Sequence, residues 1–195
     1  MTTAFVLASA NPDKAREITE ILGDRFALTA RPPHIPDVEE TGLTLEDNAR
    51  LKAVALVAAT GIPAVADDTG LEVDALDGAP GVRSARYAGE VASYADNVAK
   101  LLAALGEVVG PQARRARFRT VAIAVWPGGR EVLAEGTVAG WIADEPRGDG
   151  GFGYDPVFIA EETGGATFAE VDSQTKHAVS HRGRAFRALA ALIPE

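Results

Sequence analysis

An apolar run that ends in two carboxylates, Ala64-Val65-Ala66-Asp67-Asp68-Thr69-Gly70, constrains this chain more than any other stretch. It reads as a short strand that closes on Asp67 and Asp68 and leads into a turn at Thr69-Gly70. Carboxylates at the edge of a core are costly unless something answers their charge. Two readings fit. Asp is a favoured turn residue, and both acids could simply cap the turn. Alternatively they hold a cation, and hard oxygen donors there suit Mg²⁺, which usually takes one or two protein carboxylates plus phosphate oxygens and water.

The elements around this run alternate. Phe5-Val6-Leu7-Ala8 reads as a buried strand. Ser9 to Lys14 form a turn, and Ile18, Ile21 and Leu22 then recur at helical spacing. Phe26–Ala30 is a second strand, and residues 31–43, with Pro32, Pro33 and Pro36, form a loop. Thr44 with Asp47 opens a helix that Gly61 closes. After the acidic strand, Leu71–Leu76 reads as another strand with a tight turn at Asp77-Gly78. Ser93 with Asp96 opens a helix bearing Val98, Leu101, Leu102 and Leu105. Phe118–Trp126 and Glu131–Ile142 flank Pro127-Gly128-Gly129-Arg130 as a β-hairpin. Val157-Phe158-Ile159 is a short strand, and a last helix carries Val179, Phe186, Leu189, Leu192 and Ile193. Helices alternating with strands, followed by a long hairpin, predict an α/β fold with a mixed central sheet and flanking helices. A chain of 195 residues without repeats or linkers reads as a single domain over 1–195.

Composition narrows the function classes. With no Cys, neither a disulfide framework nor a thiolate metal site is available. The net charge of −9 argues against broad nucleic-acid binding, which needs a basic face. No stretch approaches the roughly 20 apolar residues of a membrane span. The opening Met1-Thr2-Thr3-Ala4-Phe5 lacks the pattern of a leader, so the expected location is the cytoplasm, with no membrane partner.

Four stretches could carry chemistry besides the acidic pair. A strand, a short loop and a helix start at Ser9-Ala10-Asn11-Pro12-Asp13-Lys14 form a natural phosphate seat, since backbone N–H groups and the helix dipole favour an anion there. It lacks the G-x-x-x-x-G-K-[ST] pattern, and an Asn-Pro turn beside a surface lysine is the plain alternative. Lys52 lies on the 44–60 helix among small and apolar neighbours and matters only where that helix faces a cleft. In Gly148–Gly153 the glycines around Phe152 let a flat ligand approach a ring, with Tyr154 and Asp155 following; a ring tucked into the core is the alternative. Lys176, His181 and Arg182 gather cations and imidazole, and planar Arg182 suits bidentate contacts; a solvated basic helix start would look the same. Carboxylates, an anion seat, lysines, an aromatic and a basic cluster together describe a nucleotide whose phosphates carry Mg²⁺.

These residues also form ordered motifs. Ser9-x-Asn11-x-x-Lys14, Glu40-Thr41-Gly42-x-Thr44, Asn48-Ala49, Lys52-Ala53, Ala66-Asp67-Asp68-Thr69-Gly70-Leu71, Gly78-x-Pro80-Gly81-x-x-Ser84-Ala85-Arg86-Tyr87, Gly151-Phe152-Gly153-Tyr154-Asp155-Pro156 and Ser180-His181-Arg182 follow one another from about residue 5 to 190. In this order the chain resembles the non-canonical purine nucleoside triphosphate pyrophosphatases, the XTP/dITP diphosphatase and inosine triphosphate pyrophosphatase family. The resemblance implies Mg²⁺-dependent hydrolysis of ITP, dITP and XTP to the monophosphate and pyrophosphate. It also implies an elongated α/β fold with two lobes around a nucleotide-binding cleft, and a homodimer. It assigns Ser9 to Lys14 to the phosphates, Asp68 to the metal and to proton acceptance, and Glu40, or Glu39 in its place, to the metal. Lys52 and Thr69 go to the substrate, Phe152, Gly153, Tyr154 and Asp155 to the base, and Lys176, His181 and Arg182 to base and phosphate contacts. Adjacent strand residues point to opposite sides, so Asp67 would support the site from behind.

The chain departs from the family pattern at Asp13, where Gly is common, at Thr69, where Ser is common, and at Arg83, where Tyr is frequent. Competing readings are a pyrophosphatase of different base preference and a non-catalytic nucleotide-binding protein. A haloacid-dehalogenase phosphatase would need D-x-D-x-[TV], which Asp67-Asp68-Thr69-Gly70 does not supply.

Overall fold

The computed structural model describes residues 4–193. Met1 to Thr3, part of the stretch read for a leader, lie outside them. The described residues form seven strands: β1 (Ala4–Leu7), β2 (Ala27–Ala30), β3 (Ala64–Val73), β4 (Pro80–Gly81), β5 (Arg115–Val125), β6 (Glu131–Ile142) and β7 (Phe158–Ala160). The helices are α1 (Pro12–Leu22), α2 (Leu45–Thr60), α3 (Tyr94–Leu105), α4 (Ser173–Val179) and α5 (His181–Leu192). The sheet order is β2-β1-β3-β5-β6-β7, with β4 paired to β3. Parallel pairs β1–β2 and β1–β3 coexist with antiparallel β3–β4 and β6–β7, so the sheet is mixed, as the alternation of elements predicts.

The described chain divides into two compact units, one built on residues up to Asp68 with 120–136 and the stretch from His181, the other on 69–119 and 137–180. The boundaries fall inside β3, β5 and β6. In the first unit Phe5 is fully buried and meets Phe26 and Trp126 edge to face, with centroids 5.7 and 5.4 Å away. Ile18 of α1, Val65 of β3 and Phe186 of α5 complete that core. Burying each such side chain is worth roughly 1.5–3 kcal/mol. The second unit has its own core, in which Leu71, Leu101 of α3, Val157 and the Phe118, Phe158 and Phe168 rings pack together.

Two sequence expectations are corrected. The acids do not end a strand: β3 runs unbroken for 10 residues through Asp67, Asp68, Thr69 and Gly70 to Val73, so the expected turn and the separate 71–76 strand are absent. Only a 3₁₀ turn follows, at Asp74–Leu76, closing on Asp77 in the left-handed conformation. Neither Thr nor Gly forces a bend where both strand halves have partners, β1 on one and β4 on the other. The C-terminal helix is likewise two helices. Ser180 is extended (ψ 155°) and ends α4, so Val179 packs in the second core while Phe186 and Leu189 pack in the first. Leu192, expected on the apolar face, is 52% exposed.

Candidate active site

In the first unit the phosphate-seat candidate is a true helix start. Asn11 is the N-cap of α1, and its side-chain oxygen accepts from the N–H groups of Asp13 (2.9 Å) and Lys14 (3.3 Å). Ser9 Oγ accepts from the Asn11 N–H at 3.3 Å and ties the loop before it. Ala10 and Pro12 are exposed. The added carboxylate of Asp13 turns to Arg16 on the next turn, at 2.7 Å, which offsets its charge beside an anion seat.

The acidic pair divides its partners. Asp67 is buried, with Arg182 3.4 Å and Lys14 3.5 Å away. Asp68, also buried, accepts from Lys52 Nζ at 3.1 Å and from Asn48 Nδ2 at 3.3 Å. Lys52 reaches Glu40 as well, at 2.9 Å, so two carboxylates converge on one ammonium. Glu40, not the exposed Glu39, is the acid that joins Asp68 there. The geometry follows from α2: Thr44 caps it, and Leu45, Ala49, Lys52 and Leu56 fall on one stripe, three to four residues apart. Lys52 therefore stands on the inward face that its apolar neighbours bury.

Electrostatics match this placement. Burial pushes the Asp68 carboxyl above its ordinary range; Lys52 and Lys14 pull it down and Glu40 pushes it up, and the net is upward. Burial opposes the Lys52 ammonium, but the carboxylates of Asp68, Glu40 and Asp67 outweigh it and hold it above its ordinary value. Two close hard oxygen donors fit Mg²⁺, which needs few protein ligands. Among the described residues no three Asp, Glu, His or Cys side chains converge to hold a metal ion.

Arg182 and His181 open α5 and are both buried. Arg182 Nη1 donates to Glu17 of α1 at 2.6 Å, so its fork spans Glu17 and Asp67. This close seating of α5 depends on Gly136 of β6: a Cβ there would lie 2.1 Å from the His181 carbonyl oxygen and 2.4 Å from the Ala185 nitrogen.

In the second unit, Phe152 is half-buried on a loop pinned from below. Asp155, 3% exposed, accepts from the Phe152 N–H (2.7 Å) and from Lys176 Nζ (2.5 Å). Lys176 Nζ also lies 4.9 Å from the Phe152 ring centre. Gly151 has φ +67°, and a Cβ there would lie 2.1 Å from Asp155 Oδ2. Gly153 follows, also at positive φ. Tyr154 is buried and donates to the Ser84 carbonyl at 2.9 Å; burial pushes its phenol well above the ordinary range. Thr69, the first residue of this unit, is half-buried on β3. Lys176, read in the sequence as one cluster with His181 and Arg182, is separated from them by the break at Ser180, and the two groups belong to different units.

The profile of the Ham1 family matches residues 5–192. The chain belongs to the Ham1 family. A dITP/XTP pyrophosphatase of Geobacter sulfurreducens is 51% identical over 190 residues, covering 96% of this chain and 94% of its own. One from Streptomyces coelicolor is 45% identical over 199 residues, covering 99% and 98%. The solved Ham1 protein of Staphylococcus aureus superposes with a TM-score of 0.84 at 41% identity, over 97% of each chain.

Two residues of this Ham1 site escaped the sequence reading as site members. Asn48 is fully buried and bridges Asp68 to the loop before α2, since its Oδ1 accepts from the Gly42 N–H at 2.8 Å. Glu17 is buried and shares Arg182 with Asp67. The available signal was a polar residue on an otherwise apolar helical stripe: Asn48 beside Leu45 and Ala49, Glu17 beside Ile18 and Ile21.

Proposed function

We propose that this Ham1 chain is a nucleoside triphosphate pyrophosphatase acting on non-canonical purine nucleotides, dITP, XTP and ITP, in the cytoplasmic nucleotide pool. The observation that carries the reading is Asp68: a buried carboxylate of raised pKa, fixed by Asn48 and Lys52 with Glu40 on the same ammonium. The names of the relatives supply the substrate class.

In this reading the triphosphate lies against the α1 N-terminus, where N–H groups, the helix dipole and Lys14 favour negative charge. A water molecule gives a proton to Asp68 while the water oxygen bonds to the α-phosphorus. The bond from the α-phosphorus to the bridging oxygen breaks, and pyrophosphate leaves. Lys52 and Lys14 offset charge that develops on the departing group. Asp68 and Glu40 would hold Mg²⁺, which supplies charge neutralisation on the phosphate chain. Arg182, spanning Glu17 and Asp67, keeps Asp67 from competing for that ion. Phe152 stacks on the base, backed by Lys176 and Asp155. The expected assembly is a homodimer.

Product analysis with ITP and Mg²⁺ tests the proposal. IMP plus pyrophosphate is the expected result. IDP plus phosphate, or no turnover, would overturn it. Turnover confined to another base would assign a different pyrophosphatase specificity.

A further inference from the structure

Phe152 has an aromatic neighbour that the proposed reaction does not use. The Tyr94 ring lies 5.8 Å from it, centroid to centroid, with the planes tilted by 40°. Tyr94 is 41% exposed and belongs to neither core. Lys176, 4% exposed, backs Phe152 from the interior, whereas Tyr94 flanks it at the surface.

The Tyr94 mount is rigid despite this exposure. Tyr94 is the first residue of α3, whose start is locked by a reciprocal capping box. Ser93 Oγ accepts from the Asp96 N–H at 3.1 Å, and the Ser93 N–H donates to Asp96 Oδ2 at 2.8 Å. In the same turn Asn97, 2% exposed, accepts from the Ala88 N–H at 2.7 Å and donates to the Ala85 carbonyl at 3.1 Å. The Phe152 backbone is held in turn by the bond from its N–H to Asp155. Two rings on separate rigid supports form a preorganised pair, which loses little freedom when a ligand covers it.

We propose that Tyr94 is a specificity-determining residue that widens the Phe152 surface from one ring to two, sized for a purine. The proposal rests on the reading that Phe152 meets the base. A single six-membered ring covers a pyrimidine, whereas the second ring of a purine overhangs it and gains contact only from a second aromatic. With the two planes inclined by 40°, a flat base that lies parallel to the Phe152 ring meets the Tyr94 ring at an angle, between the stacked and edge-to-face arrangements that aromatic pairs favour. Loss of one stacking partner lowers affinity on the order of ten-fold.

The test compares the parent with Tyr94→Ala and Tyr94→Phe, reading steady-state kinetics and calorimetric affinity for ITP and UTP. Tyr94→Ala is expected to raise the ITP KM and Kd about ten-fold, with kcat within about two-fold of the parent and UTP affinity unchanged. Tyr94→Phe keeps the ring and is expected to match the parent. An unchanged ITP affinity in Tyr94→Ala overturns the proposal. So does an equal loss for ITP and UTP, which marks a structural role, or a gain for ITP, which makes Tyr94 a cover over Phe152. The parent's own products decide the pyrophosphatase reading separately: should the parent bind ITP without releasing IMP and pyrophosphate, that reading fails while the affinities still judge Tyr94.

Discussion

Asp67 and Asp68 are one peptide bond apart in β3, yet their direct ion-pair partners differ. Asp67 lies with Arg182 and Lys14, and Asp68 with Lys52. Alternation along an extended strand is the cause: successive side chains leave on opposite faces. The pair therefore offers one carboxylate beside a buried guanidinium and one whose ion-pair partner, Lys52, is shared with Glu40.

Asp68→Asn should lower kcat by roughly 10²–10⁴-fold while nucleotide binding persists, because general-base catalysis is of that size. The same change should remove one titration from the pH dependence of the metal-free protein's stability. Burial, the largest influence, lifts the folded-state pKa of Asp68 above its ordinary value of 3.8. Between 3.8 and the raised value the folded protein keeps a proton that the unfolded chain has released, so parent stability falls as pH rises through that window. Asn has no proton to lose. Melting curves from acid to neutral pH should show the variant gaining on the parent across the window and the two converging below it. A variant whose stability falls across that window as steeply as the parent's would remove the electrostatic account of this site.

Arg182→Met should destabilise the fold by about 3–5 kcal/mol, because it leaves Glu17 and Asp67 buried without their shared guanidinium. Urea unfolding measures this directly. Arg182→Lys restores charge but not the fork that spans both carboxylates, and should recover only part of the loss. Full recovery with Lys would show that charge alone matters.

Gly136→Ala should impair activity from a distance. The new Cβ would meet the His181 carbonyl and the Ala185 nitrogen far inside contact distance, and backbone cannot yield as a side chain can. The N-terminus of α5 must shift, carrying Arg182 with it. A depressed Tm together with reduced kcat is the expected pair of results; a variant with parental Tm and turnover would mean that α5 is not seated on β6 as described.

Gly151→Ala should act on the base side alone. It is strained at φ +67° and drives a Cβ into Asp155, the acceptor that pins the Phe152 N–H. A raised KM for ITP, with binding of inorganic tripolyphosphate unchanged, is expected. Equal weakening of both ligands would place the loop's role elsewhere.

Much of this protein is determined by local sequence. The helix starts at Asn11, Thr44 and Ser93, the stop at Gly61 and the 131–142 strand follow from capping chemistry and alternation, which depend on neighbours a few residues away. The ordered motifs likewise carried the family assignment, which the Ham1 match over residues 5–192 supports. Tertiary structure decided what local rules cannot reach. β3 continues through Asp67-Asp68-Thr69-Gly70 because it is an interior strand of the sheet, between β1 and β5 and paired with β4 beyond Gly70, which no local residue preference states. The helix breaks at Ser180 because the chain leaves one core for the other there. Asn48 and Glu17 joined the site because a buried charge draws its partners from wherever the fold brings a donor or acceptor within about 3 Å, and sequence separation does not enter that distance.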